Sequence, residues 1–382
     1  MQRVAEALKL FYLDGLRYQL NESTSEFLNA MERDSKSVQG GKIVMALRYG
    51  RSGGVGNRAD DGDLPKPNAR KTKQAKWETK NVFARMWIAD KVIQASRGKA
   101  GAFRPMLEAT LEDLENDAKF SLSRQVWGDG TGKLATVATD GVTDNVLTIG
   151  TDNIWMFAEG MLVDSYNGAT LRKGEMEILA VDDVNGKITV DAAGTTAAAD
   201  DIYTAGSKDL ELTGIKAVVE AATLYDITRA DNPWLNVTKI PVNGEISEVV
   251  IKKAIDEAKK KTGAKTDYLT GSQGVVRAYF ALMAAQKQIV NTLDLKGGGK
   301  AISFNGLPLV DDLFAPAGKL YAFAMNDWKM YEMGDWDWLD RDGNMIARVP
   351  GKAVWEATLC KYVDCGCARL RGQVELSGIT EH

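Results

Sequence analysis

Between Gly50 and about Lys76 the chain carries no apolar periodicity, and Gly, Asp, Pro, Lys and Arg dominate the stretch. A structureless loop of about 25 residues is unusual inside a compact domain, where connections run to about 4–6. Folded back on its own domain it would bury almost nothing, against an ordering cost of roughly 1–2 kcal/mol per residue. Strand-like runs flank it: Lys42–Tyr49 before, and Trp77–Ile93 after, where Val82, Ala84, Met86 and Ile88 alternate with polar residues. Together these segments predict a long two-stranded arm with a flexible tip. A lone hairpin is marginal in water, so the arm needs a surface to lean on.

Around this arm the pattern is mixed. Val4, Leu8, Phe11, Tyr12 and Leu16 fall at helical spacing, and the run from Asn21 to Thr24 can cap a short helix through Phe27, Leu28 and Met31. The clearest helix spans Arg104 to Val126. Pro105 suits its first turn, acidic residues crowd its N-terminal half, and Leu107, Leu111, Leu114, Ala118 and Leu122 form one stripe. From Leu134 to Ser207 the texture becomes β, with Asn167-Gly168 and Asn185-Gly186 read as type I′ hairpin turns in a small antiparallel barrel or sandwich. Mixed α/β follows: a helix through Ile215, Val218, Val219 and Ala222, and another from Ile246, Val249, Val250 and Ala254 to Lys259–Lys261 and a Gly263 stop. Next come a strand at Tyr268–Thr270, a helix through Tyr279, strands at Leu307–Val310, Leu320–Met325 and Lys329–Met333, and a long strand from Ala353 to Leu376. With 382 residues, 45% hydrophobic and 26% charged, this is a globular composition able to hold two or three cores.

The chemistry available is narrow. The single histidine is His382, so nucleophilic catalysis with a histidine base has no base, and no catalytic residue is assigned. Cys360, Cys365 and Cys367 are one short of the four ligands a structural zinc site wants, and Cys365 and Cys367 share a strand face as small apolar side chains. A net charge of −4 gives no global positive field for nucleic acid. No apolar run approaches the ~20 residues of a membrane helix, and no secretory h-region follows Met1, which predicts a chain made and used in a cytosol.

Several motifs invite sharper readings. Gly128-Asp129-Gly130-Thr131-Gly132-Lys133 has the look of a phosphate loop, but Leu134 follows the lysine and the loop follows a helix. Gly271-Ser272-Gln273-Gly274 lacks an acidic ribose partner and reads as a helix start capped by Ser272. Asp335, Asp337, Asp340 and Asp342 ahead of Gly343 miss the EF-hand register, which leaves Trp328, Trp336 and Trp338 as core or interface aromatics. No cofactor and no metal is expected. The run Arg70, Lys71, Lys73, Lys76 and Lys80 has three readings: a solvated face, contact with acidic groups of a neighbouring subunit, or phosphate contact.

The order of elements resembles the major capsid proteins of tailed bacteriophages, the Hong Kong phage type of fold shared with encapsulins. The resemblance rests on Arg48-Tyr49-Gly50-Arg51-Ser52-Gly53-Gly54-Val55-Gly56 with Asp63-Leu64-Pro65, on Trp127-Gly128-Asp129-Gly130-Thr131-Gly132, on Tyr225 to Trp234, and on Phe304 to Val310. It covers nearly the whole chain, with a larger β insert than the simplest members have. It implies an α+β fold divided as follows: N-terminal arm 1–41, extended loop 42–98, spine helix of a peripheral domain 99–133, β-rich insert 134–208, axial α/β domain 209–345, and C-terminal strands 346–382 returning to the peripheral domain. It also implies a non-enzymatic shell subunit of the virion, assembled in the host cytoplasm. Its partners would be its own copies in hexamers and pentamers, scaffolding protein and portal during assembly, and packaged double-stranded DNA held non-specifically, with no membrane. Arg48, Arg51, Arg70, Lys71, Lys73, Phe11 and Tyr12 are the inter-subunit contact candidates. Other readings stay open: an encapsulin-like compartment, a nucleotide-dependent enzyme using the loops at Gly128 or Gly271, or a secreted binding module.

Overall fold

The computed structural model describes residues 25–91, 100–139, 144–285, 292–294, 300–339 and 347–382. Phe11 and Tyr12 lie outside them. The chain divides into two compact units, one of Met1–Trp127 with Leu212–His382 and one of Gly128–Glu211.

In the larger unit a short helix α1 (Glu26–Ala30) is capped by Ser25, whose hydroxyl accepts from Leu28 N at 3.2 Å, so the cap falls just after the Asn21–Thr24 run. Its Phe27 is fully buried, with ring centroids 5.3 Å from Phe323, 5.6 Å from Trp328 and 5.7 Å from Trp127. Strands β1 (Lys42–Arg48) and β2 (Thr72–Glu78) pair antiparallel from Lys42↔Glu78 to Arg48↔Thr72. Ile43, Leu47 and Ala75 face inward, and the polar side chains between them face out.

The two-stranded arm is shorter than the sequence pattern implies. After Thr79 the chain enters β3 (Lys80–Ala89), which leaves β1 and β2 and pairs with Val354–Cys367 over ten residues. The alternation decides this: Val82 and Met86 go to the core with Ala84 and Ile88 packed against it, which a free arm could not offer. The long helix α2 (Ala100–Trp127) has 28 residues, about 42 Å at 1.5 Å per residue. It begins before Arg104, so Pro105 sits inside it rather than in its first turn. Ala118 and Leu122 of its stripe are buried, as is Val126 a turn further on.

The smaller unit is one antiparallel sheet. Its strands are β4 (Lys133–Thr136), β5 (Val146–Thr148), β6 (Leu162–Asn167), β7 (Thr170–Asp182), β8 (Lys187–Val190) and β9 (Asp201–Thr204), in the order β4-β9-β6-β7-β8-β5. Leu147, Val163, Met176, Ile178, Ile188 and Ile202 form its own core. Neither Asn-Gly pair makes a type I′ turn. Asn167 is still in strand opposite Thr170, so the two-residue loop is Gly168-Ala169, of which only Gly168 has positive φ. The second hairpin has four loop residues, and Asp182 organises it by accepting from Val184 N and Asn185 N. The geometry expected there occurs elsewhere, at Asn305-Gly306, with φ of 50° and 81°.

The chain re-enters the larger unit through α3 (Ile215–Glu220) and a small hairpin, β10 (Thr223–Leu224) and β11 (Ile227–Thr228). An α/β layer follows: β12 (Thr238–Gly244), α4 (Glu248–Thr262), β13 (Tyr268–Gly271), α5 (Gln273–Ala285), β14 (Thr292–Asp294), β15 (Lys300–Phe304), β16 (Leu307–Asp311) and β17 (Leu320–Phe323). Helix α4 starts at Ser247 and stops at Gly263 in the left-handed region; Ile251, Ala254 and Ala258 are buried, whereas Val249, on the expected stripe, is exposed.

Strand β18 (Trp328–Glu332) then pairs with β19 (Val354–Cys367). Trp328, Trp336 and Trp338 are all buried. The C-terminal strand is two strands. β19 ends at Cys367, and a turn at Leu370–Gly372 redirects the chain into β20 (Val374–Ile379), between β12 and β17 of the seven-stranded α/β sheet. Only part of residues 346–382 therefore runs beside β3. Gly372 permits the turn, since a Cβ there would lie 2.8 Å from that of Ala264.

Because residues 128–211 own a closed apolar core, they should fold when excised. Dispersed amide shifts in an NMR spectrum of that fragment are expected; a collapsed spectrum would contradict an independent core.

Candidate assembly interface

The arm is fixed at its root by aromatic rings. Trp77, at the end of β2, stacks on Tyr225 with centroids 4.1 Å apart and meets Tyr331 edge-on at 5.5 Å. It also covers Gly366 of β19, where a Cβ would approach the indole to 2.7 Å. Tyr225 and Asp226 both have positive φ (53° and 62°), which gives the β10–β11 hairpin its tight turn from two non-glycine residues. That strain is held by contacts: Lys76 N donates to Tyr225 O at 3.0 Å, and the Tyr225 hydroxyl accepts from Cys367 N at 2.9 Å. Nearer the tip, Tyr49 stacks on Trp234 at 4.6 Å with the rings 6° from parallel, and Lys73 Nζ donates to Asn232 Oδ1 at 3.3 Å.

Beyond Tyr49 the arm touches little but itself. Tyr49 N and Gly50 N donate to Lys71 O, Ser52 Oγ donates to Asn68 O at 2.9 Å, and Gly54 lies against Pro67. The tip closes with Gly62 N donating to Ala59 O, and Arg58 Nε to Asp63 O. Val55 and Leu64 are 86% and 85% exposed, so two apolar side chains stand in water. Arg48, Arg51, Arg70 and Lys71 are exposed and make no ion pair among the described residues; Lys73 is exposed too but bonded to Asn232. Sequence reasoning named the cations but missed Tyr49, Trp77, Tyr225 and Trp234. For Tyr49 and Trp77 a signal was present, as aromatics bracketing both ends of the polar stretch; Tyr225 and Trp234, far along the chain, had no such local signal.

Behind the root lies a buried acid. Asp364 of β19 is fully buried, its Oδ1 accepting from Thr213 N at 2.7 Å and Cys365 N at 2.9 Å. Burial pushes its pKa up to about 7, and that of Asp312 to about 6. Cys365 donates to Thr213 O, and burial drives the Cys365 and Cys367 thiols upward, so both stay neutral packing groups.

The other motifs are used locally. In the Gly128–Lys133 turn, Asp129 Oδ1 accepts from Thr131 N at 3.1 Å. Ser272 does not cap α5 with its hydroxyl: it donates to Glu381, whose carboxylate also accepts from Gly318 N at 2.7 Å. Among the described residues no group of three His, Cys, Asp or Glu could hold a metal, and no helix is long and apolar enough to cross a membrane.

No protein-family model and no curated protein matches the sequence. Solved structures do match. The cyanophage A-1(L) capsid asymmetric unit is 11% identical, with 92% of this chain and 91% of that one covered at a TM-score of 0.55. The capsid of an empty GTA particle is 10% identical, covering 94% and 91% at 0.49, and a holo encapsulin complex from Synechococcus elongatus is 9% identical, covering 93% and 88% at 0.46. The chain has the major capsid protein fold of tailed phages.

Trp77→Ala should cost about 3 kcal/mol in chemical denaturation, since it removes a ring packed on three sides. A loss below 1 kcal/mol would contradict the clamp. The pH dependence has a definite sign. Asp364 and Asp312 have folded pKa values above the unfolded ones, so their contribution is full below about pH 4 and is lost as pH rises through 6 to 7. Asp34 and Asp335, shifted downward, titrate below this window. The unfolding midpoint should therefore fall between pH 5 and pH 8, and Asp364→Asn, which keeps the accepting oxygen, should flatten that fall.

Proposed function

We propose that this chain is a major capsid protein that self-assembles into pentamers and hexamers of an icosahedral phage shell around double-stranded DNA. The observation that carries this is the arm: about 20 residues, exposed on every side, project from a root clamped by aromatic stacking. A rigid base with an unsupported tip is stable only if the tip is covered by something outside the chain, and a neighbouring copy supplies that surface. The capsid fold supports the same reading.

In this reading β1, β2 and the tip are the extended loop, α2 is the spine of a peripheral domain, residues 134–208 are an insert on it, and the layer around β13 and β17 is the axial domain. Arg48, Arg51, Arg70 and Lys71 contact a neighbour, and Lys73 holds the arm to its own Asn232. Scaffolding protein and portal would join during assembly in the host cytoplasm, and the role is structural, with no catalysis.

Deleting Gly53 to Asn68 and closing the gap with a short turn tests this. The far-ultraviolet circular dichroism and thermal melting of the unassembled subunit should be unchanged, while sedimentation and electron microscopy find capsomers or subunits in place of shells. Normal shells from the deletion variant would refute the inter-subunit role of the arm, and an unfolded subunit would place the loop in its own core.

A further inference from the structure

Charge is divided unevenly along the chain. Residues 42–78 carry nine Lys or Arg and four Asp or Glu, whereas residues 128–211 carry five and fifteen. The arm is thus +5 and the β-rich unit −10 in a chain of −4, and everything else together is nearly neutral at +1. The acidic surplus is on the surface: nine of the fifteen carboxylates are exposed. Asp152, Glu159, Glu177 and Asp183 among them form no ion pair with any described residue. On the arm, Arg51, Lys66, Arg70 and Lys71 are equally exposed and equally without ion pairs among the described residues.

We propose that the basic arm of one copy docks on the acidic β-rich unit, residues 128–211, of a neighbouring copy. This rests on the reading of the arm as an inter-subunit element and names the surface that receives it. A unit with a net charge of −10 repels itself and gains from an external cation source. Nucleic acid could neutralise the arm, but it would leave the β-rich unit uncompensated. A second copy compensates both. The contact is also heterologous, one patch meeting a different patch, and a heterologous contact whose rotation closes makes a ring in which every arm and every acidic unit is used. Val55 and Leu64 add apolar area at the arm tip that the charge pairing would bring out of water.

Charge reversal in the full-length chain tests it. Arg51→Glu with Arg70→Glu and Lys71→Glu should lower the assembled fraction on the order of tenfold in sedimentation. Asp152→Lys with Glu159→Lys, Glu177→Lys and Asp183→Lys should do the same. All seven positions are exposed, and circular dichroism verifies that each variant remains folded. Combining the two sets should restore assembly, and wild-type assembly should weaken from 0.15 M to 1 M salt as the screening length falls from about 8 Å to about 3 Å. A combined variant that assembles no better than the arm variant overturns the proposal. The partner surface is read separately with a photo-crosslinking phenylalanine at position 55 and mixed heavy- and light-isotope copies. Hybrid cross-links into residues 128–211 are expected. Hybrid cross-links elsewhere overturn this docking surface and leave the arm-on-neighbour reading standing; cross-links confined to the arm's own copy, or to nucleic acid, overturn both.

Discussion

Trp77 seated on Gly366 between Tyr225 and Tyr331 is the contact on which the rest of the architecture depends. It joins three distant parts of the sequence: the end of the arm, the β10–β11 hairpin and the strand pair β18–β19. The exchange is physical. Tyr225 and Asp226 adopt left-handed backbone that costs non-glycine residues energy, and the stacking with the two backbone-linked hydrogen bonds around Tyr225 offsets it. In return the arm leaves the body in a set direction.

Strand β19 extends this logic across the larger unit. It pairs with β3 along ten residues and with β18 near its end, and after the turn at Gly372 the chain becomes β20 in the α/β sheet. One continuous segment thus ties the arm root to both apolar clusters of the unit. Its buried Asp364, half satisfied by Thr213 and Cys365, makes the same strand sensitive to pH. Force applied at the arm would pass into the body through hydrogen-bonded strand pairs and not through a hinge.

The tip follows a different economy. Its glycines and prolines, its exposed Val55 and Leu64 and its unpaired cations yield no stability within one chain. In the proposed assembly they would acquire value only when many copies associate, which would make its stability collective and concentration dependent. The division of charge between arm and β-rich unit agrees with that economy, since identical copies carry both signs in every subunit.

Local pattern was enough to read the first strand of the arm and its solvated tip, the long helix, the β texture of residues 134–207 and the inward face of β3, because each depends on period and turn chemistry within a few residues; the arm's return strand, Thr72–Glu78, was not read. It failed where the outcome was set by distant partners. Two Asn-Gly pairs did not make type I′ turns because strand register moved them out of the central positions, whereas Tyr225-Asp226 made a tight turn that no local rule favours. The Ser272 hydroxyl was drawn from capping into a bond with Glu381, more than 100 residues away. The long C-terminal strand became two because Gly372 fits against Ala264. The sequence by itself determined which segments are strand, helix or solvated arm, and where the charge lies, since these follow from side-chain chemistry and spacing. Which strand neighbours which, where the arm is clamped and which acid loses its charge were decided only by tertiary structure, because burial and pairing are properties of residues brought together from far apart.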